Sequence, residues 1–167
     1  MRILGIDPGV ATTGWAIVES GGTGENGVKS VEYGVITTPK TDTHSHRLVE
    51  LREDLSELMA EYVPEYAAVE KLYFATNAKT AFSVGEARGV ILLAIEEQGI
   101  SVYEYSPLQI KSAVCGYGKA PKRQVQEMVQ SILGLGELPK PDDAADALAV
   151  GICCASRIAM ENRIISS

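Results

Sequence analysis

Arg2-Ile3-Leu4-Gly5-Ile6-Asp7-Pro8-Gly9 decides how the rest of the chain must be read. Its apolar run predicts a short buried strand, and Asp-Pro-Gly is a strong turn signal that ends it. Residues 14–19 and 28–37 read as two further strands, separated by the Gly-rich loop at 21–27. No helix intervenes, so the three strands are expected to form an antiparallel meander.

Downstream the period changes. Within residues 43–62, Leu48, Leu51, Leu55, Leu58 and Met59 recur at helical spacing, with acids on the opposite face. Residues 66–70 form a compact strand ending in an acid, 78–98 a long helix closed by Gly99, and 100–105 a fifth strand. Ser106-Pro107 reads as an N-cap with proline at the first helical position. A further helix starts at Pro121, and Asp142 or Asp143 caps a last one running to about Met160. The order βββ-α-β-α-β-ααα describes one α/β domain over residues 1–167. Its sheet is mixed and five-stranded, a meander followed by parallel strands, with helices on both faces.

Composition narrows the class. The chain has 167 residues, 46% hydrophobic and 22% charged, as expected of one globular domain. The charge at Arg2 and the acid at position 7 exclude a signal peptide, and the apolar run at 147–156 is too short to span a bilayer. Cys115, Cys153 and Cys154 form no C-x-x-C pair, which points to reduced thiols and a cytoplasmic protein. The net charge of −7 argues against a nucleic-acid partner until its distribution is considered. Residues 41–70 hold eight acids and two arginines, whereas Lys111, Lys119, Lys122 and Arg123 cluster with almost no acids near them. One basic face on an acidic molecule is therefore permitted.

Four acids stand out. Asp7 and Glu70 each end an apolar strand that has no folding need for a carboxylate there. Either one alone could be a turn residue, Asp7 above all. Asp143 and Asp146 share a face of the last helix, among small alanines. An N-cap and the helix dipole account for Asp142 and Asp143, but Asp146 lies a turn further in, just before an apolar run. Convergent carboxylates of this kind suit hard divalent cations and the two-metal hydrolysis of a phosphodiester.

With these elements in view, the sequence resembles the RuvC family of Holliday junction resolvases, in the RNase H-like superfamily. The resemblance rests on Ile3-Leu-Gly-Ile-Asp7-Pro-Gly, Thr13-Gly-Trp15, Val69-Glu70-Lys-Leu-Tyr73-Phe, Asn77-Ala78 and Gly85-Glu-Ala-Arg88-Gly. It continues through Glu104-Tyr105, Gln109-Ile-Lys111, Gly116-Tyr-Gly118, Lys122-Arg-Gln-Val-Gln and Asp143-Ala-Ala-Asp146-Ala-Leu-Ala. It implies a metal-dependent endodeoxyribonuclease that makes paired, symmetric nicks in four-way DNA junctions. Asp7, Glu70, Asp143 and Asp146 correspond to the family's catalytic, metal-binding acids, serving two Mg²⁺ ions for which Mn²⁺ can substitute. The family's D-x-x-D spacing favours Asp143, although Asp142 and Asp146 also share a helix face. For DNA binding, Tyr73 corresponds to an aromatic that stacks at the junction centre, and Lys111 and Lys122 to basic residues near the scissile phosphate. The helix holding residues 85–89 would build a homodimer, and a branch-migration motor of the RuvA and RuvB type is the implied partner.

Other features carry less. His44 and His46 read as a polar loop before the first helix, with a weak metal signal; Lys119, in a Gly-rich loop, reads equally as a binding cation or a solvated turn residue. Trp15 is expected to pack, and Tyr62, Tyr66, Tyr103 and Tyr105 to lie in the core or at its rim. Two other classes compete. The Gly-Ile-Asp-x-Gly turn also occurs in actin-like ATPases and sugar kinases, but those need a duplicated domain of more than twice this length. A catalytically silent junction-binding module would not need all four acids.

Overall fold

The computed structural model describes residues 1–21, 27–72 and 78–165. Its strands are β1 (Arg2–Asp7), β2 (Thr12–Ser20), β3 (Val28–Thr37), β4 (Tyr66–Glu70) and β5 (Ser101–Tyr105), joined in one sheet in the order β3-β2-β1-β4-β5. β1, β2 and β3 pair antiparallel, while β4 lies parallel to β1 and β5 parallel to β4. The helices are α1 (His44–Tyr62), α2 (Ala78–Glu97), α3 (Pro107–Cys115), α4 (Lys122–Leu133) and α5 (Asp142–Ile165).

Alternation along the central strands creates two cores. Leu4, Ile6, Ile17 and Val69 point to one face, where Leu51 and Leu55 of α1 and Ile91 and Ile95 of α2 cover them. Ile3, Ala16, Val18 and Ala68 point to the other, under α5, with α3 and α4 outside. Each fully buried aliphatic side chain contributes about 1.5–3 kcal/mol. The middle of α5 is apolar on every side because it lies between the sheet and two further helices. Its Cys153 and Cys154 are buried, whereas Cys115 on α3 is half-buried.

Two strand glycines let α5 come close. A Cβ on Gly5 would lie 2.3 Å from the Ala147 carbonyl oxygen, and one on Gly14 would lie 1.9 Å from that of Asp143. Backbone therefore meets backbone, and no other residue fits at either position.

The strand and helix order agrees with the sequence reading, with two differences of extent and one of kind. β2 starts at Thr12 because Thr12 and Thr13 pair with Thr37 and Ile36 of β3. α5 runs on to Ile165, past the last buried residue, Ile158, and the Arg157–Glu161 ion pair one turn apart supports this extension. His44 and His46 do not lie in a loop. Thr43 is the N-cap, its side chain accepting from the His46 N–H, so both histidines belong to the first turn of α1. Trp15 packs against Tyr62 at 5.9 Å between ring centroids, as a packing residue would.

Candidate active site

The parallel register Ile6↔Val69 brings the ends of β1 and β4 to the same edge of the sheet, carrying Asp7 and Glu70 there together. Asp7 pairs across the ladder with Gly14, the residue on which the first turn of α5 rests. That contact brings Asp143, and Asp146 one turn on, to the same edge. A Ser106–Gln109 capping box fixes the start of α3, which delivers Lys111; Lys122 opens α4. Glu70, Lys111, Lys122 and Asp146 line one cavity of about 210 Å³, with Pro107, Ile110, Val125 and Ala149 completing its wall.

The acids perturb one another. Burial, then the charges of Glu70, Asp146 and Asp143, push Asp7 up from 3.8 to about 8. Glu70 is also raised, by burial and by Asp146, although a hydrogen bond with Asp7 and the charges of Lys111 and Lys122 oppose this. Burial raises Asp146 too, against the pull of Lys122. The Lys122 Nζ lies 3.1 Å from Asp146 Oδ2 and 3.3 Å from Asp142 Oδ2. Asp142 itself is exposed; Lys122 and a 2.9 Å hydrogen bond from Gln126 hold it below the usual carboxylate range. Asp143, unlike Asp142, is among the charges acting on Asp7.

An all-oxygen donor set with this excess of negative charge fits a hard divalent cation such as Mg²⁺. Among the described residues, no three of the four acids bring ligand atoms within 4.8 Å of one another; Asp42, just before the N-cap of α1, with His46 and Glu50 of that helix, do. The second histidine, His44, is engaged elsewhere, 2.6 Å from Glu86 of α2. Tyr73 lies outside the described residues.

A second groove opens beside Asp143. It is lined by the β1–β2 turn from Gly9 to Thr12, by Lys40, His44 and Arg47, by Thr80, Ser83 and Val84 of α2, and by Asp143. The sequence reading did not single out this groove. Its residues come from four separate segments, and only two basic residues, Lys40 just before the acidic stretch and Arg47 within it, could have pointed to it.

The Asp7 shift has a measurable consequence in metal-free protein. The unfolded chain releases this proton near 3.8 and the folded chain near 8. Between those values the unfolded state binds fewer protons, so the contribution to stability is full below 3.8, falls as pH rises, and is lost above 8. Asp7→Asn should therefore melt roughly 5 °C above the wild type at pH 8.5 in chelator, with the gap closing near pH 4. Added Mg²⁺ should raise the melting temperature of the wild type more than that of the variant. A variant that melts below the wild type at pH 8.5 would contradict the reading.

Known proteins resemble this chain over most of its length. The family model for crossover junction endodeoxyribonuclease RuvC matches residues 3–154. A crossover junction endodeoxyribonuclease RuvC from Caldicellulosiruptor saccharolyticus is 50% identical over 153 residues, covering 92% of this chain and 91% of that protein. Its counterpart from Chloroflexus aurantiacus is 53% identical over 154 residues, covering 92% of each. The structure of Thermus thermophilus RuvC in complex with a Holliday junction substrate superposes with a TM-score of 0.89 at 35% identity, covering 96% of both chains. Sequence match and fold coincide, and the chain belongs to the crossover junction endodeoxyribonuclease RuvC family.

Proposed function

We propose that this chain is a structure-selective endonuclease that resolves Holliday junctions by paired, symmetric nicks. The observation that carries the reading is the gathering of acids from β1, β4 and α5 at one sheet edge, in a chain of this family. Asp7, Glu70, Asp143 and Asp146 are assigned as catalytic acids and metal ligands, for two Mg²⁺ ions with Mn²⁺ as a substitute. When bound, such ions lower the pKa of the attacking water and offset charge on the leaving oxygen. The four carboxylates orient the scissile phosphate by holding its counter-charge in place. Lys111 and Lys122 sit on the α3–α4 side of the same cavity and offer cations to the phosphate oxygens. Tyr73, three residues after Glu70, is assigned to stacking at the junction centre by family correspondence.

A junction with two-fold symmetry calls for a symmetric dimer. An exposed stripe on α2 supports one: Phe82 is 74% and Leu93 54% exposed, and a Cβ on Gly89 between them would meet nothing within 4 Å. Leu93→Glu should convert the dimer to a monomer in sedimentation velocity while leaving the circular dichroism spectrum that of the folded wild type; a dimer persisting in the variant would relocate the interface. A single RNase H-like domain over residues 1–167, cytoplasmic location and work alongside a branch-migration motor of the RuvA and RuvB type complete the reading. No described helix is long and apolar enough to cross a membrane.

The test is a synthetic four-way junction, a matched linear duplex and Mg²⁺ or Mn²⁺, with the nicks mapped. Symmetric paired nicks on the junction alone are expected. Equal cutting of the duplex, or junction binding without cutting, would overturn the proposal.

A further inference from the structure

We propose that the groove between the β1–β2 turn and the starts of α1 and α2 holds a backbone phosphate of the cut strand, next to the scissile one, with Arg47 as its principal donor. This rests on the junction-cutting reading above. The groove reaches the acids directly, because Asp143 forms part of its wall. Its other polar lining is cationic or hydroxylic: Lys40 and Arg47 with Thr80 and Ser83, while His44 is bound to Glu86. That composition suits an anion rather than an apolar ligand.

Arg47 is oriented for the task. Its Nε donates to Thr38 Oγ1 at 2.9 Å, and the Thr38 hydroxyl donates in turn to the Val10 carbonyl at 2.7 Å. Thr38 is 3% exposed, so one edge of the guanidinium is tied to a fixed, buried hydroxyl beside the turn that follows Asp7. The Nη2 atom is buried and has no hydrogen-bond partner among the described residues. A guanidinium fork with one edge anchored and an unpaired nitrogen matches the planar, two-oxygen face of a phosphate diester. The remaining charge at this end of the groove is the Asp143 carboxylate, whose repulsion the ions at the acids would offset. Cations then stand at two places among the acids, Lys111 and Lys122 in the cavity that Glu70 and Asp146 also line, and Lys40 and Arg47 in the groove beside Asp143. A single strand crossing the acids would leave one phosphate over the metal ligands and its neighbour in this groove. Such an arrangement gives an acidic chain local phosphate contacts without a basic surface.

The experiment uses full-length protein and a set of four-way junctions, each carrying one uncharged methylphosphonate at a position within three nucleotides of the mapped cut. Junction affinity is measured with Ca²⁺ in place of Mg²⁺, and nicking with Mg²⁺. The wild type should lose about tenfold in affinity at one position beside the cut, the size of one charge-assisted contact. Arg47→Gln should bind the all-phosphate junction about tenfold more weakly and be indifferent to the methylphosphonate at that position. Thr38→Val, which removes the hydroxyl that holds Arg47 Nε and its tie to Val10 but keeps the cation, should reduce the sensitivity without abolishing it. Should Arg47→Gln melt early, Arg47→Lys keeps the charge and serves instead, with the sensitivity reduced rather than abolished. A wild type sensitive at no such position, or Arg47 variants as sensitive as the wild type, would overturn the inference while leaving junction cutting intact. A wild type that nicks no junction at all would overturn the functional reading and this inference with it.

Discussion

Asp146→Asn should slow junction nicking by at least about 100-fold while changing junction affinity less than about threefold. Loss of a mere supporting group around a metal costs about 10–100-fold, and a ligand should exceed that range. Asp146 lines the cavity with Glu70, acts electrostatically on both Asp7 and Glu70, and has Lys122 at 3.1 Å. Removing its charge weakens the hold on a cation, whereas a phosphate gains nothing from a carboxylate, so affinity is spared. Asp142→Asn is the informative companion. Asp142 is exposed and spends its charge on Lys122 and Gln126, so its loss should cost only a few-fold, through a freer Lys122. Quantitative nicking of a labelled junction and a gel-shift titration read the two quantities. If Asp142→Asn were crippling and Asp143→Asn mild, the register proposed for the first turn of α5 would be wrong.

Gly14→Ala is expected to destabilise the fold by about 3 kcal/mol, lowering the melting temperature by roughly 10 °C. The added methyl would stand 1.9 Å from the Asp143 carbonyl oxygen and 2.4 Å from its carbon. Both neighbours are backbone, which cannot swing aside as a long side chain can, so either β2 or the start of α5 must move. That shift separates Asp143 from Asp7 across the ladder partner Gly14. Nicking should therefore fall more than the loss of folded protein explains, even well below the melting point. Gly136→Ala is the control, since a Cβ there meets nothing within 4 Å. Thermal melts with nicking rates at 20 °C check the prediction, and a Gly14→Ala protein as stable as the wild type would refute the close approach.

The sequence revealed those parts of the fold that short-range patterns determine. β1, β3 and β4 lie where apolar runs meet turn residues, and α1 follows its Leu48–Leu51–Leu55 periodicity. Asp7 and Glu70 were legible because a strand end needs no acid. The closeness of α5 to the sheet was not legible. It depends on Gly5 and Gly14, which local propensity counts only as weak points in strands. The histidine pair was misread for a similar reason: which polar residue caps α1 depends on the bond from His46 N–H to Thr43, and spacing alone does not specify it. The Arg47 groove was hidden because nothing in a linear reading joins Thr38, Arg47, Thr80 and Asp143.

The contact of α5 with β1 and β2 also bears on the life of the chain before it is finished. The strands that carry Asp7 and Gly14 are translated first, and the helix that carries Asp143 and Asp146 last. Domains emerge N-terminal end first at about 5–20 residues per second, so the early strands wait for their covering helix for many seconds. Throughout that interval half of the carboxylate set has not been made, and the apolar face that α5 will cover is open. A ribosome-bound intermediate of this protein can hold neither the full charge cluster nor the cutting chemistry proposed for it. Competence to cut DNA would thus arrive only with the last helix, which places a built-in delay on the cutting chemistry.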